Sequence, residues 1–289
     1  MRSYLELLEQ ANSNKSKISE IVILREMEAT GLDREQLLAK MKLNYSVMQQ
    51  SVEQGLTSEW RSFSGMVGGD AARLIEYGKS ERTLLGHTMN KVAARAIAAA
   101  EINAGMGRIV AAPTGGACGV LPAVMITVQE IIGSSEEEII MAFFTAAGIG
   151  MVIAERASVS GAEGGCQAEI GTASAMAAGA AVELAGGTPE QTAHAGAIAL
   201  KNFLGMVCDP VGGLVEVPCI KRNAMGAIKA MTAAEMALAG IKSAIPLDEV
   251  IDTMASIGRQ MPCSLRETAQ GGLAVTPTGK RIEENIFRG

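Results

Sequence analysis

The stretch that most limits how this chain can fold follows Cys166. There the run TASAMAAGAA consists almost wholly of Ala, Gly, Met and Ser. A helix of this composition has no polar face, so it has to be packed on all sides by other helices. The whole chain is 48% hydrophobic but only 3% aromatic, so its core is built from Ala, Leu, Ile, Val and Met. The 33 glycines and 17 methionines therefore predict closely packed helices with small residues at their contacts.

Helical patterns recur along the rest of the chain. Apolar residues repeat at intervals of three and four, about nine helices are expected, and no run shows the alternation of a strand. Ser135 followed by three acidic residues, and Thr188 followed by Pro189, are typical helix starts. The sequence predicts an all-α fold in a single large domain over residues 1–289, with glycine-rich loops converging on one site. Residues 1–56, which are polar and amphipathic, are predicted to form an N-terminal helical packing layer.

Charge and hydropathy argue against several partners. The net charge of −6 argues against nucleic acid, because phosphate binding needs a basic face. The most apolar run, residues 139–154, is shorter than the ~20 residues that span a bilayer, so we expect a buried core helix and no membrane segment. The N-terminus lacks the apolar core of a signal peptide. We therefore expect a cytoplasmic protein whose five cysteines are reduced thiols and not a disulfide framework.

Three of the five cysteines lie in the segment Gly161–Arg222. Cys166 follows two glycines, Cys208 precedes an Asp-Pro pair and Cys219 follows a proline, so all three are predicted on loops. Thiolates on such loops are typical of a metal centre, although the spacing is not that of a CxxC motif. Three ligands would leave the metal with an open position, which is typical of catalytic sites.

The two remaining cysteines leave the choice of ligands open. Cys118 lies in a similar glycine-rich loop, and chemistry alone does not exclude it as a ligand. Cys263, beside a proline near the C-terminus, is a weaker candidate. All five could also be small buried residues without a metal, but three loop cysteines in one short segment favour a metal centre.

The loop Thr114-Gly115-Gly116 precedes another predicted helix. Backbone N–H groups at the start of a helix attract anions, so we predict that Thr114, Gly115 and Gly116 bind the carboxylate of a substrate. An ordinary helix start is the alternative. No Gly-Lys-Ser/Thr follows, which excludes a phosphate-binding P-loop. The Gly68-Gly69 pair offers a second place where the backbone could approach a ligand, or an ordinary turn.

A metal with an open position could act as a Lewis acid on a substrate hydroxyl while a base removes a neighbouring proton. The sequence does not identify this base. The only histidines, His87 and His194, are on predicted helices, where a structural role is commoner. Lys221 and Arg222, directly after the third loop cysteine, could bind a carboxylate or balance the charge of the metal centre. Asp209 could cap a turn.

Three sequence blocks, PTGGACGVLPA, GAEGGCQAEIG and CDPV followed by GLVEVPCIKRNA, resemble the catalytic alpha chain of iron–sulfur-dependent L-serine dehydratases. The resemblance implies a [4Fe–4S] cluster held by Cys166, Cys208 and Cys219, and it thereby selects three cysteines out of five. It also implies a lyase that eliminates the hydroxyl of L-serine without pyridoxal phosphate and yields pyruvate and ammonia.

The chain departs from that family in two respects. Single-chain members carry a second domain, for which 289 residues leave no room, so we expect a separate beta chain. Some members have a C-terminal cysteine that closes the open iron position, whereas this chain ends in Phe-Arg-Gly. The alternative functions are a related iron–sulfur lyase for another small amino or hydroxy acid, and a helical protein with a structural metal site.

Overall fold

Helices make up nearly all of the regular structure. The computed structural model describes residues 2–57, 60–80 and 82–288, and over these residues the chain is 72% helical without a β-strand. The predicted all-α fold is confirmed, but the described residues form thirteen α-helices, more than the sequence predicted. These are α1 (Tyr4–Asn14), α2 (Ile18–Thr30), α3 (Arg34–Thr57), α4 (Asp70–Gly78), α5 (Gly86–Ala104), α6 (Val120–Ile132), α7 (Glu136–Arg156), α8 (Gly161–Gly164), α9 (Thr172–Leu184), α10 (Pro189–Lys201), α11 (Cys219–Leu238), α12 (Leu247–Gln260) and α13 (Pro277–Arg288).

One additional helix, α13, lies in the C-terminal segment that shows no clear periodicity in the sequence. It begins at a Thr-Pro pair, and the hydroxyl of Thr276 accepts a hydrogen bond from the amide of Gly279. The helix packs its apolar side on a short turn at Gly212. A start signal was therefore present, but polar residues dominate the helix and hide its apolar face. The last residue of the chain, Gly289, lies outside the described residues.

Helix α9 lies at the centre of the fold. Its residues from Thr172 to Glu183 are all buried, and it contacts α6, α7, α10 and α11. Small residues permit these contacts, since a Cβ atom at Gly179 would lie 2.3 Å from the side chain of Ile149. The prediction that this helix is packed on all sides is confirmed. Because α9 is buried from its first residue, the segment that leads into it, with Cys166, is buried as well.

Helices α1 to α3 form the N-terminal part of the chain and share its main core. Tyr4 and Leu7 of α1 are fully buried, and the hydroxyls of Tyr4 and Thr192 are hydrogen-bonded at 2.5 Å. Asp248 of α12 accepts hydrogen bonds from the amides of Tyr4 and Leu5. Buried apolar and polar contacts therefore join the N-terminal helices to the body of the protein.

Two segments are long and apolar enough to cross a bilayer, Gly115–Ile132 and α7. Within the described residues, 61% and 67% of these segments are buried against other parts of the protein. Helix α7 starts with a reciprocal pair of hydrogen bonds between Ser135 and Glu138, as its sequence predicts. The apolar run 139–154 is thus a core helix of the fold, as expected.

The predicted convergence of the glycine-rich loops is confirmed. The turn Gly115–Ala117 leads towards α6, residues 161–166 lead into α9, and residues 208–218 lead into α11. Glu169, just before α9, accepts hydrogen bonds from Thr114 and from Cys208, and Asn223 of α11 donates to the carbonyl oxygen of Gly116. The loops therefore border a single site at the N-terminal end of α9.

The segment after α12 returns to the same place, which the sequence did not predict. Cys208 and Arg266 form a parallel backbone bridge. The amide of Cys208 donates to the carbonyl oxygen of Leu265 at 2.9 Å, and the amide of Glu267 donates to the carbonyl oxygen of Cys208 at 2.8 Å. The C-terminal segment therefore covers one side of the site.

Candidate metal centre

Three cysteines lie near one another where the glycine-rich loops converge. Cys166 directly precedes a five-residue π-helical turn, Gln167–Gly171, and Cys208 lies in the backbone bridge. The prediction that Cys219 lies on a loop is wrong, because α11 begins directly after Pro218 with Cys219 as its first residue. All three are free thiols and buried, with exposed fractions of 3%, 3% and 8%. Cys166 is close enough to Cys208 and to Cys219 for these groups to affect one another's ionisation. We call Cys166, Cys208 and Cys219 the thiol centre.

The three thiols differ in pKa. The hydrogen bond from Cys208 lowers the pKa of Cys166, and the guanidinium of Arg222 acts in the same direction against the effect of burial. The same hydrogen bond, followed by burial, raises the pKa of Cys208. Burial raises the pKa of Cys219 to about 12. The centre thus contains one readily formed thiolate and two thiols whose protons a bound cation would displace.

Arg222 is a buried cation beside the thiol centre. Its side chain, only 16% exposed, donates to Oδ1 of Asp209 at 2.9 Å and to the carbonyl oxygen of Val207 at 3.0 Å. Asp209 also accepts a hydrogen bond from the amide of Leu273 at 2.8 Å. Burial alone would lower the pKa of Arg222, but the neighbouring Cys166 and Asp209 raise it above its usual value. The pair therefore ties α11 to the loop of the second thiol and to the C-terminal segment.

Two carboxylates that the sequence patterns left unmarked lie beside the thiols. Glu169, in the π-helical turn, accepts a hydrogen bond from the hydroxyl of Thr114 at 2.6 Å, and its Oε2 accepts a hydrogen bond from the thiol of Cys208 at 3.7 Å. A carboxylate oxygen of Glu267 lies within 4.8 Å of both the Cys208 sulfur and a Glu169 oxygen. Burial raises the pKa of Glu169. Glu169, Cys208 and Glu267 form a group that could hold a metal ion.

Gly161 makes room for this arrangement. A Cβ atom at Gly161 would lie 2.6 Å from Oε2 of Glu169 and 3.0 Å from the Sγ of Cys208. Only a residue without a side chain permits this approach. The sequence could have pointed to Glu169, because Gly161 and Glu169 both belong to the block GAEGGCQAEIG that also contains Cys166.

The predicted substrate loop borders the thiol centre. The hydroxyl of Thr114 is bound to the carboxylate of the π-helical turn, Asn103 donates to the carbonyl of Gly115 at 3.1 Å, and Asn223 donates to the carbonyl of Gly116 at 2.8 Å. The loop forms a short 3₁₀ turn, and α6 begins only beyond it. Within the described part of the chain, the amides of Gly115 and Gly116 donate no hydrogen bond. They are therefore free to bind an anion.

Two cysteines and a glycine pair do not join this site. The thiol of Cys118 donates to the carbonyl of Ala99 at 3.7 Å, and burial raises its pKa to about 12. Cys263 is exposed in a short 3₁₀ turn. Gly68 lets the backbone at Trp60 come close, since a Cβ atom at Gly68 would lie 2.1 Å from the carbonyl oxygen of Trp60. The structure thus separates the cysteines that the sequence alone left as alternatives.

The other charged and titratable candidates also lie elsewhere. Lys221 forms an ion pair with Asp70 at the surface. The ring of His87 is hydrogen-bonded to a carbonyl of α4, and the ring of His194 accepts a hydrogen bond from the amide of Ser243. Among the contacts of the described residues, neither histidine touches the thiol centre. Both histidines therefore bind backbone groups, in agreement with the structural role that their positions on helices favoured.

The fold and the site define an all-α protein with a buried thiol centre next to a loop that is open to a small anion. The family model described as "Serine dehydratase alpha chain" matches residues 13–274. The chain belongs to this family, and the resemblance carried by the three sequence blocks is confirmed.

Similar proteins come from several bacteria. The "Probable L-serine dehydratase, alpha chain" of Bacillus subtilis is 52% identical over 288 residues, which cover 100% of this chain and 96% of that protein. The "L-serine dehydratase, alpha chain" of Peptoniphilus asaccharolyticus is 42% identical over 98% of this chain and 97% of that protein. The "L-serine dehydratase" of Streptomyces coelicolor is 42% identical over 93% of this chain but only 60% of that protein.

Proposed function

We propose that this chain is the catalytic alpha chain of an L-serine dehydratase, which converts L-serine into pyruvate and ammonia. One observation carries the proposal: in a member of the serine dehydratase alpha chain family, three buried cysteines lie near one another beside a loop whose backbone amides donate no hydrogen bond within the described residues. The names of the relatives from B. subtilis, P. asaccharolyticus and S. coelicolor support the activity.

Cys166, Cys208 and Cys219 hold a [4Fe–4S] cluster in this proposal. The donor set fits, because such clusters bind thiolates, and the buried Arg222 balances part of the negative charge that cluster binding adds. With three protein ligands, such a cluster supplies an iron with an open position that acts as a Lewis acid on a substrate hydroxyl.

Thr114, Gly115 and Gly116 orient the substrate by its carboxylate. The amides of Gly115 and Gly116 receive the carboxylate oxygens, since the side chains of Asn103 and Asn223 already hold the carbonyl groups of the same loop. The loop is therefore ordered before the substrate arrives, which reduces the entropic cost of binding.

The chain also keeps bulk water from the reacting groups, because the three cysteines are almost fully buried. Elimination of water from L-serine gives aminoacrylate. This product tautomerises to an imine and takes up water to yield pyruvate and ammonia, so that no net water is consumed.

A separate beta chain completes the enzyme, and the enzyme acts in the cytoplasm, where thiols stay reduced. The alpha-chain names of the B. subtilis and P. asaccharolyticus relatives support the partner. The longer S. coelicolor relative supports it as well, since the match leaves 40% of that protein uncovered.

The test is anaerobic purification together with the beta chain, followed by measurement of iron, sulfide and pyruvate released from L-serine. About four irons per chain with pyruvate release is the expected result. A cluster without pyruvate would redirect the activity to another small amino or hydroxy acid. A colourless protein without iron after anaerobic reconstitution would overturn the iron–sulfur proposal, and bound zinc in its place would identify a structural metal site.

A further inference from the structure

Glu267 differs from the other charged groups at the thiol centre. Glu169 is held by the hydroxyl of Thr114, and Arg222 is paired with Asp209. In the part of the chain that the structure describes, the carboxylate of Glu267 has neither an ion pair nor a hydrogen bond, although it lies within 4.8 Å of the Cys208 sulfur. It is also exposed and therefore free to move at the rim of the site.

The backbone of Glu267 is fixed by the residue that carries the second thiol. Its amide donates to the carbonyl oxygen of Cys208 at 2.8 Å, and its φ of +62° lies in the left-handed region that favours glycine. Asp209 binds the amide of Leu273 and so holds the following turn against the same loop. The fold therefore keeps the backbone of this residue next to Cys208 while its carboxylate stays exposed.

The surroundings of Glu267 favour a cation. Its carboxylate lies within 4.8 Å of a Glu169 oxygen and of the Cys208 sulfur, so these groups would repel one another when they are ionised. The positive charge of Arg222 is already shared with Asp209. A metal bound between the thiolates and the carboxylates would remove this repulsion, and a carboxylate oxygen is a common ligand of iron.

We propose that Glu267 supplies the displaceable fourth ligand: in the absence of substrate, its carboxylate occupies the iron position that the three thiolates leave open. This inference rests on the proposed function, in which the thiol centre holds a [4Fe–4S] cluster. The bond uses a lone pair of a carboxylate oxygen, and no electron is transferred. A substrate hydroxyl that took this position would displace the exposed side chain of Glu267.

Glu169 is the less suitable of the two carboxylates for this role. Its side chain is largely buried and its Oε1 is engaged by Thr114, so release from a metal would require rearrangement of the substrate loop. Glu267 can leave without disturbing a hydrogen bond of its side chain. The mobility of the ligand therefore selects Glu267.

The experiment compares wild type, Glu267→Gln and Glu267→Asp, each reconstituted anaerobically with its beta chain. Glu163→Gln is the control, because Glu163 is an exposed glutamate on α8 close to Cys166 in sequence, and the substitution removes the same charge. The reduced clusters are examined by electron–nuclear double resonance in ¹⁷O-labelled water without substrate. We expect labelled water on iron only in Glu267→Gln, and weak labelling in Glu267→Asp, whose carboxylate is shorter.

A second readout is the rate at which oxygen converts the cluster to its three-iron form, followed by electron paramagnetic resonance. We expect a rate about 10-fold higher in Glu267→Gln than in wild type and Glu163→Gln, because an iron that loses a supporting group is lost more easily. Labelled water on the wild-type cluster, or equal labelling and equal rates in all four proteins, would overturn the inference while the proposed function stands. A wild-type protein without a cluster would overturn both. If Glu267→Gln does not fold, the same comparison with Glu267→Asp decides.

Discussion

Removal of Arg222 should strongly destabilise the site, because it leaves the carboxylate of Asp209 buried without its ionic partner. The two side chains are 16% and 4% exposed, and their bond is 2.9 Å long. Among the described residues, Arg222→Met leaves the buried carboxylate of Asp209 with the amide of Leu273 as its one hydrogen-bond donor. Removing one partner of a buried pair costs about 3–5 kcal/mol. Because that amide remains, we expect the low end, about 3 kcal/mol.

The assay is urea unfolding of the reduced, metal-free protein, followed by circular dichroism. Lys221→Met is the matched control, because Lys221 is the preceding residue and forms an ion pair with Asp70 in which its side chain is 54% exposed. An exposed pair contributes about 0–1 kcal/mol, so the control should lose at most that amount. Equal losses in the two variants would refute the argument that Arg222 and Asp209 act as a buried clamp.

Three further outcomes follow from the same structure. Replacing any one cysteine of the thiol centre by alanine should abolish cluster binding, whereas Cys263→Ala should keep all its iron; full iron content in any of the three variants would refute the ligand assignment. Burial raises the pKa of Glu183, so this carboxyl binds its proton more tightly when folded, and its ionisation costs stability as the pH rises above 4.5. Glu183→Gln should therefore gain stability relative to wild type between pH 5 and pH 8 in urea titrations, by at most about 1.4 kcal/mol per pH unit, and a pH-independent difference would contradict this. Gly161→Ala places a methyl group 2.6 Å from Glu169 and 3.0 Å from Cys208, and should cost about 1–3 kcal/mol and lower the iron content; unchanged thermal unfolding and iron would speak against the close approach.

Much of the helical fold could be predicted because its signals are local. The starts of α7 and α10 depend on hydrogen bonds between residues three apart, from Ser135 to Glu138 and from Thr188 to Gln191. The burial of α9 follows from its composition, since a helix built almost wholly of Ala, Gly, Met and Ser has no polar face for water. Such signals fail for α13, where polar residues dominate the pattern.

The site itself depends on contacts between residues far apart in the sequence. The sequence established that Cys166, Cys208 and Cys219 are on glycine- and proline-rich segments, and only its resemblance to a family separated them from Cys118. Loops that look alike in sequence take positions set by the helices that they join. The thiol of Cys118 is therefore hydrogen-bonded to a carbonyl oxygen of α5, while the other three cysteines lie near one another. Glu267 comes to the thiols only because a backbone bridge brings the C-terminal segment to Cys208. The sequence by itself thus determined most of the helices and which thiols and carboxylates the chain carries. Helix packing and the bridge at Cys208 decided which of these groups share a site, because neither the packing nor the bridge has a local signal in the sequence.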